Sequence, residues 1–139
     1  MRQGEVMLLE IPSSPEYVAI ARRAVESMAR RMSFSTSEIE DITLAFGEAC
    51  TNAVKYGCPT DGSPNVEIKC SVLPDGLCIE IRNNTAHCGR PPVPIEPDLT
   101  REGGLGLFMI RKLVDEVDIR WTDHSAVVRL FKKINGAAG

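Results

Sequence analysis

The sequence has no hydrophobic run that approaches the ~20 residues a membrane-spanning helix needs. Its opening segment, MRQGEVMLLEIP, has too short an apolar run for a signal peptide and carries Glu5 and Glu10. We therefore expect a cytoplasmic protein with no membrane partner. Basic residues are not in excess, because 16 Lys and Arg face 19 Asp and Glu for a formal net charge of −3. Since affinity for a phosphate backbone depends on clustered Lys and Arg, we expect no direct nucleic-acid partner.

Paired cysteines are missing as well. The five cysteines are an odd number, no CxxC pair occurs, and neither His87 nor His124 has a Cys or His at metal-ligand spacing. The odd number of cysteines and the lack of ligand spacing argue against a disulfide framework and against a tetrahedral zinc site. With 139 residues, of which 43% are hydrophobic and 25% are charged, the chain suits one globular domain over residues 1–139.

The first part of the chain predicts one strand and two helices. The apolar run Val6–Ile11 ends at Pro12 and predicts a strand. Ser13-Ser14-Pro15-Glu16 has serine, proline and glutamate at capping-box spacing, and Ser35-Thr36-Ser37-Glu38 repeats the signal for a helix that ends near Gly57. The apolar stripe predicted for the first helix comprises Tyr17, Ala21, Ala24, Val25 and Met28.

The second part predicts two hairpins around a long irregular segment and a helix. Alternating apolar residues place strands over 66–72 and 77–81, joined by a turn at residues 73–76. Residues 83–104 carry four prolines and no secondary-structure pattern, as functional lids do. A helix to about Val117 and a hairpin over 118–132 follow. This order predicts an α+β domain, with one mostly antiparallel sheet and helices on one of its faces.

One ridge of the second helix carries polar side chains suited to metal and proton chemistry. Glu48, Asn52 and Lys55 fall within roughly 60° of one another at 100° per residue. An amide oxygen can bind Mg²⁺, and a carboxylate can accept a proton from an attacking hydroxyl group. Asp41 shares this face, so a solvated polar surface is the alternative interpretation.

A glycine-rich stretch, Arg101-Glu-Gly-Gly-Leu-Gly-Leu-Phe-Met-Ile110, runs directly into an apolar helical pattern. Its glycines, at 103, 104 and 106, allow unusual φ values and a close approach to a ligand. A helix that starts there directs its free N–H groups at the loop, which predicts a phosphate site. A flexible loop before a core helix is the alternative. The stretch is neither a P-loop, since no GK[ST] follows, nor a Rossmann fingerprint, since the third glycine is missing.

Two motifs resemble those of a known family. Glu48-Ala-Cys-Thr-Asn52-Ala-Val-Lys55-Tyr-Gly57 resembles the N box of the GHKL ATPase superfamily, and the glycine stretch with Leu113-Val-Asp-Glu-Val117 resembles its G2 box. The branch with the most similar G2 box is the bacterial anti-sigma factors that are also serine/threonine protein kinases. The resemblance extends over nearly the whole chain. It implies the Bergerat fold, a two-layer α/β sandwich with a mixed, mostly antiparallel sheet and an ATP lid at about residues 84–104.

The resemblance also implies an ATP·Mg²⁺ site with a role for each matching residue. Asn52 would bind Mg²⁺ and Glu48 would be the general base for the substrate serine. Lys55 would lie near the phosphates, and Arg101 would be the cation of the lid closest to the γ-phosphate. By the same resemblance, the phosphate-facing edge of the lid would comprise Gly103, Gly104, Leu105 and Gly106.

The third motif departs from the family pattern, which is Asp-x-Gly-x-Gly after a strand. Asn83 stands where the adenine-binding Asp is expected, and Thr85 stands where the first glycine is expected. An amide oxygen can still accept a hydrogen bond from the adenine amino group, without the charge that makes a carboxylate bond roughly twice as strong. Thr85 would narrow the base pocket.

The resemblance implies an anti-sigma kinase that sequesters a sigma factor and phosphorylates an anti-anti-sigma partner. It also implies a homodimer formed through the N-terminal strand and helix. The alternative is a degenerate binding module that sequesters a partner without efficient ATP binding. The catalytic half of a sensor histidine kinase is disfavoured, because no dimerisation helix with a phosphoacceptor His is present. A plain structural domain with a coincidental glycine loop is the remaining possibility.

Overall fold

The part of the chain that the structure describes forms one five-stranded antiparallel sheet with three helices. A computed structural model of the chain describes residues 4–56, 66–84, 104–121 and 125–134. The strands lie in the order β1-β2-β3-β5-β4, and all four pairings within these ranges are antiparallel, so the parallel component of the expected mixed sheet is not found. The α+β class is confirmed. The elements are β1 (Val6–Ile11), α1 (Pro15–Arg30), α2 (Thr36–Tyr56), β2 (Val66–Leu73), β3 (Gly76–Asn84), α3 (Gly104–Leu113), β4 (Glu116–Trp121) and β5 (Ser125–Lys133).

The core lies between one face of the sheet and the helices. Along β2, residues 66, 68, 70 and 72 are buried, whereas Glu67 and Lys69 are exposed, which is the alternation of a half-covered strand. The register places Ile68 beside Ile81 and Cys70 beside Ile79, so the buried positions of neighbouring strands form one apolar surface. α2 packs across it, in contact with α1, α3 and β3. None of the three described helices is long and apolar enough to cross a bilayer.

α1 begins one residue later than its capping-box spacing predicts. Ser14 is the N-cap and Pro15 the first helical residue, and no side chain caps the helix. Proline is favoured at the first helical position because its fixed φ suits the helix and its missing N–H is not needed there. The shift moves Glu16 out of capping register. Tyr17, predicted in the apolar stripe, is 36% exposed, and Val18 takes its place in the core.

α2 begins as the sequence predicts, with a complete capping box. The backbone N–H of Glu38 donates to Ser35 Oγ at 3.1 Å, and the Ser35 N–H donates to Glu38 Oε1 at 2.8 Å. Two N–H groups that the helix cannot satisfy internally are thereby paired. The helix is described as far as Tyr56, and its expected end near Gly57 lies outside the described residues.

The predicted end of α3 was wrong by one turn. The helix stops at Leu113, and Val117, expected on its core face, belongs to β4. Two contacts with β5 explain the change. Lys132 Nζ donates to the Leu113 carbonyl at 3.0 Å, and the Lys133 N–H donates to Asp115 Oδ2 at 2.7 Å. These bonds hold the chain against β5, so sheet pairing replaces the helical repeat.

Candidate functional site

Two buried amides stand out in an otherwise apolar core. Asn52 is 6% exposed and Asn83 is 2% exposed, and they are the buried polar residues within the ranges that the structure describes. Burying an amide costs free energy unless the group is hydrogen-bonded. Buried polar residues therefore carry more functional information than exposed ones.

Asn52 and Asn83 line the same pocket, although 31 positions separate them in the chain. Asn52 lies on α2. Asn83 lies near the end of β3, on the core face of the sheet, between Val66 of β2 and Ala126 of β5. The pocket is small, with a cavity volume of about 10 Å³, which is room for about one water molecule. Its remaining lining is apolar: Ala49, Ala53, Ile81, Ile110 and Val128.

In the Asn83 side chain, the amide nitrogen is hydrogen-bonded to a described residue and the amide oxygen is not. Its Nδ2 donates to the Ala53 carbonyl oxygen at 3.3 Å. A carbonyl oxygen can only accept, so this contact fixes the orientation of the amide. Oδ1 is buried and has no hydrogen-bond partner among the described residues. A buried acceptor without a donor suits a ligand that supplies one, such as the amino group of a nucleobase, and the adenine role predicted for Asn83 fits this arrangement.

The structure brings Asn52, but not Glu48 or Lys55, into the lining of this pocket. Glu48 lies one turn before Asn52 on α2 and is half-buried. Lys55 is also half-buried and interacts with another residue. The alternative interpretation of this face, a solvated polar surface, does not explain why Asn52 is buried. The helix thus places an amide in the pocket with a carboxylate one turn away.

The glycine stretch contributes the first turn of α3. Gly104, Leu105 and Gly106 are helical, so part of the predicted loop is helix. Gly4 is the one glycine with positive φ in the described ranges, so the unusual φ values expected for Gly104 and Gly106 are not found. The predictions for Thr85, Arg101 and Gly103 lie outside the described residues, as does most of the lid.

α3 connects its amino-terminal turn with the pocket. Ile110 is fully buried and lines the pocket beside Asn52 and Asn83. At 1.5 Å per residue, the Gly104 end lies roughly 9 Å along the helix axis from Ile110. The first turn of a helix has N–H groups without partners inside the helix, and such groups suit an anionic part of a ligand.

The three described cysteines are free and serve packing rather than chemistry. Burial raises the pKa of the Cys50 thiol to about 12. Burial, and to a smaller extent the neighbouring Cys78, raises the pKa of Cys70 to about 12 as well. Since the thiolate is the reactive form, neither thiol is a nucleophile near neutral pH.

Sequence reasoning missed the Ala53 carbonyl as the partner of Asn83. No local pattern indicates this contact, because the donor lies 30 positions further along the chain on β3. In the sequence the pocket walls stand out only as core positions: Ile81 continues the alternation of its strand, and Ala49 and Ile110 fall at helical apolar spacing. Sequence patterns do not distinguish the wall of a pocket from an ordinary core residue.

Comparison with known proteins agrees with this architecture. The family model for the histidine kinase-like ATPase domain matches residues 11–132. The serine-protein kinase RsbW of Bacillus subtilis is 34% identical over 138 residues, covering 92% of this chain and 85% of that protein. RsbW of Listeria monocytogenes serotype 4a is 33% identical over 136 residues, covering 91% and 86%.

Solved structures share the fold at low sequence identity. The crystal structure of the RsbU and RsbW domains of Rv1364c from Mycobacterium tuberculosis matches with a TM-score of 0.71 and 18% identity. The match covers 93% of this chain and 32% of that longer chain. At this level of identity the likeness concerns the fold, which agrees with the two-layer arrangement predicted from the motifs.

Proposed function

The chain belongs to the histidine kinase-like ATPase family, and from this premise we propose that it is an ATP-dependent serine/threonine protein kinase and anti-sigma factor. The observation that carries the proposal is the pocket that contains Asn52 and the open acceptor of Asn83. Relatives that are serine-protein kinases match most of the chain, which favours an enzyme over a binding module without ATP chemistry.

The base of ATP would lie at the pocket between α2 and the sheet, and the pocket walls would have to separate to admit it, because the cavity has room for about one water molecule. The adenine amino group would donate to Asn83 Oδ1, which is buried and without a described donor. The ring would lie against the apolar walls, including Ala49 and Ile81. A neutral acceptor replaces the carboxylate of the family pattern, so specificity here depends on the geometry of an amide rather than on charge.

The phosphates would extend from Asn52 towards the first turn of α3. An Asn52 oxygen would contribute a ligand to Mg²⁺, which, when bound, neutralises the phosphate charge. Among the described residues no group of three or more His, Cys, Asp or Glu could hold a metal, and Mg²⁺ commonly takes few protein ligands beside phosphates and water. Gly104, Leu105 and Gly106 would offer N–H groups, while Thr85, Arg101, Gly103 and Lys55 keep their predicted roles at the lid and phosphates.

Glu48 would act as the general base. Its carboxylate would accept the proton of the substrate serine while the serine oxygen forms a bond to the γ-phosphorus and the bond to the β-phosphate oxygen breaks, releasing ADP. Glu48 is half-buried on the same helix as Asn52, one turn away. Residues 84–104 would close over the phosphates as the lid of a single domain.

The regulatory part of the proposal concerns three macromolecular partners. The protein would sequester a sigma factor and phosphorylate an anti-anti-sigma protein, whose new phosphate of about −2 charge would weaken a close interface. A homodimer is proposed through β1 and α1. β1 is an edge strand that pairs with β2, Val6 and Leu8 are 50% and 71% exposed, and a groove lies between β1 and α1. Free thiols suit a cytoplasmic location.

A phosphotransfer assay tests the kinase. The protein is incubated with [γ-³²P]ATP, Mg²⁺ and its anti-anti-sigma partner, and label on the partner is measured. Glu48→Gln should lower the transfer rate by at least about 100-fold, since general-base catalysis contributes 10²- to 10⁴-fold, with ATP affinity nearly unchanged. Glu40→Gln, at an exposed glutamate of the same helix, is the matched control and should keep full activity.

A protein that transfers no label with any cognate partner, yet binds the sigma factor, would be the sequestering module instead. Equal transfer rates of Glu48→Gln and Glu40→Gln would show that Glu48 is not the general base. The proposal that the protein is a kinase would not be affected.

A further inference from the structure

Lys132 lies on the face of the sheet that is otherwise covered by apolar side chains. In the register of β5 with β3 it pairs with Leu77, which is fully buried and pairs in turn with Val72 of the core. The Lys132 side chain is only 13% exposed. The preceding positions of β5 on the same face are all buried: Ala126, Val128 and Leu130. A charged group with so little access to water needs polar partners inside the protein.

The ammonium group of Lys132 has these partners on two helices. Nζ donates to the carbonyl oxygen of Leu113, the last residue of α3, at 3.0 Å. In a longer helix this carbonyl would accept from the N–H of Val117, which here belongs to β4. Nζ also lies 3.9 Å from Oδ2 of Asp41 on α2, within the range of an ion pair. One side chain of β5 therefore connects the carboxyl end of α3 with α2.

α3 depends on tertiary contacts for its stability and its placement. The helix has ten residues, and isolated helices of that length are marginal in water. Gly104 and Gly106 lie in its first turn, and glycine is among the least favourable residues in a helix. The contact with Lys132 is at the opposite end, where a cation also interacts favourably with the helix dipole. This contact helps to set how α3 lies on α2, the helix on which it chiefly packs.

We propose that Lys132 is a positioning residue for the proposed ATP site: it holds the carboxyl end of α3 against α2 and so keeps the ligand-facing parts of α3 in place. These parts are the first turn of the helix and Ile110, which lines the pocket. The pocket walls must separate to admit the base, and a helix held at one end can make room at the other without losing its place on α2.

The inference rests on the proposed function and assigns Lys132 to the binding of ATP rather than to the transfer step. Glu48 and Asn52, the residues proposed for proton and metal chemistry, belong to α2. Loss of the Lys132 contact would displace α3 relative to them and leave their own helix unchanged. We therefore expect an effect on KM for ATP and little effect on kcat.

Steady-state phosphotransfer to the anti-anti-sigma partner, measured with [γ-³²P]ATP, tests this expectation. Lys132→Met keeps an unbranched side chain without the ammonium group and should raise KM for ATP by at least about fivefold, with kcat within about twofold, because a hydrogen bond to a charged group is lost. Lys132→Arg keeps the charge and should return KM to within about twofold. Lys133→Met, at the adjacent exposed lysine, makes the same change of charge and should alter neither constant.

The separation of KM from kcat distinguishes positioning from stability. A variant that merely unfolds more easily loses active molecules, which lowers the apparent kcat and leaves KM unchanged. Hydrogen exchange without nucleotide gives a second readout. The amides of residues 110–114, among them the Val114 N–H that donates to the Ile110 carbonyl at 3.2 Å, should exchange at least about fivefold faster in Lys132→Met. The amides of α1 should exchange at the same rate as in the unaltered protein.

The outcomes separate the inference from the proposed function. Unchanged KM and unchanged exchange in Lys132→Met would overturn the inference and leave the proposed kinase intact. A lower kcat at unchanged KM would overturn it, because Lys132 would then serve stability alone. A lower KM would overturn it too, because the contact would then restrain the site. If the unaltered protein neither binds ATP nor transfers phosphate, both fail. If Lys132→Met does not fold, Lys132→Gln, which keeps a shorter donor, decides the same comparison.

Discussion

α1 and α2 begin with the same spacing of serine and glutamate but have different starts. At α2, Ser35 and Glu38 exchange two hydrogen bonds of 2.8 and 3.1 Å. At α1, Pro15 takes the first helical position, Ser14 becomes the N-cap, and no side chain caps the helix. Where a proline and a capping box compete for the register of a helix start, the fixed φ of the proline decides here.

The two helices also differ in how firmly they are fixed. α1 carries an exposed ion pair, Glu26 with Arg30 at 2.9 Å, of a kind that contributes little in water. α2 lies between α1 and α3 on the sheet, is capped at its start, and has its last turn bonded to Asn83. The helix that carries Asn52 is therefore fixed at both ends, as a site that must hold its geometry requires.

The largest difference between the helices should appear in nucleotide chemistry. Asn52→Ala on α2 removes the amide from the pocket, and we expect phosphotransfer to fall by at least about tenfold, the lower bound for disturbing a metal site. Arg23→Ala, at an exposed position of α1, should leave transfer within about twofold. The rates are measured with labelled ATP across a range of Mg²⁺ concentrations. Equal loss in both variants would mean that the site is not on α2.

The next difference concerns helix starts. Ser35→Ala removes one half of the capping box and should lower the free energy of unfolding by about 1 kcal/mol. Ser14→Ala removes a hydroxyl group that makes no cap and should cost less than about 0.3 kcal/mol, within the range of ordinary surface substitutions. Urea unfolding followed by circular dichroism gives both values. A similar cost for the two variants would contradict the contrast between the helix starts.

The smallest expected effect is at the contact between the helices. A Cβ at Gly47 of α2 would meet Arg22 Cδ of α1 at 3.4 Å, an ordinary contact with a flexible side chain. Since glycine in a helix interior is less favourable than alanine by about 0.5–1 kcal/mol, Gly47→Ala should stabilise the protein by up to that amount. Unfolding in urea measures the change. A clear destabilisation would show that α1 and α2 require closer contact than the space at Gly47 indicates.

The sequence predicted what local chemistry determines and missed what distant partners determine. The capping box at Ser35, the alternation along β2 and the glutamate–asparagine spacing on α2 are all local patterns. Val117 continued the apolar spacing of α3, yet pairing with β5 moved it into a strand. The hydrogen bond between Asn83 and Ala53 joins residues 30 positions apart, and no sequence pattern in either segment predicts it.

The candidate site was predictable as separate motifs but not as a pocket. Asn52 and Asn83 were each singled out from a motif, and only the fold shows that they line one pocket. Glu48 was predicted beside Asn52, and its half-buried place one turn away could not be derived from helical spacing alone. How deeply a side chain of α2 is buried depends on which residues of the sheet and of α3 pack against the helix.

The most direct test is a crystal structure of the protein with Mg²⁺ and a non-hydrolysable ATP analogue. We predict that the base lies between α2 and the sheet, with its amino nitrogen within about 3.2 Å of Asn83 Oδ1 and an Asn52 oxygen on Mg²⁺. An analogue bound elsewhere, or a pocket without nucleotide density at saturating concentration, would contradict the site.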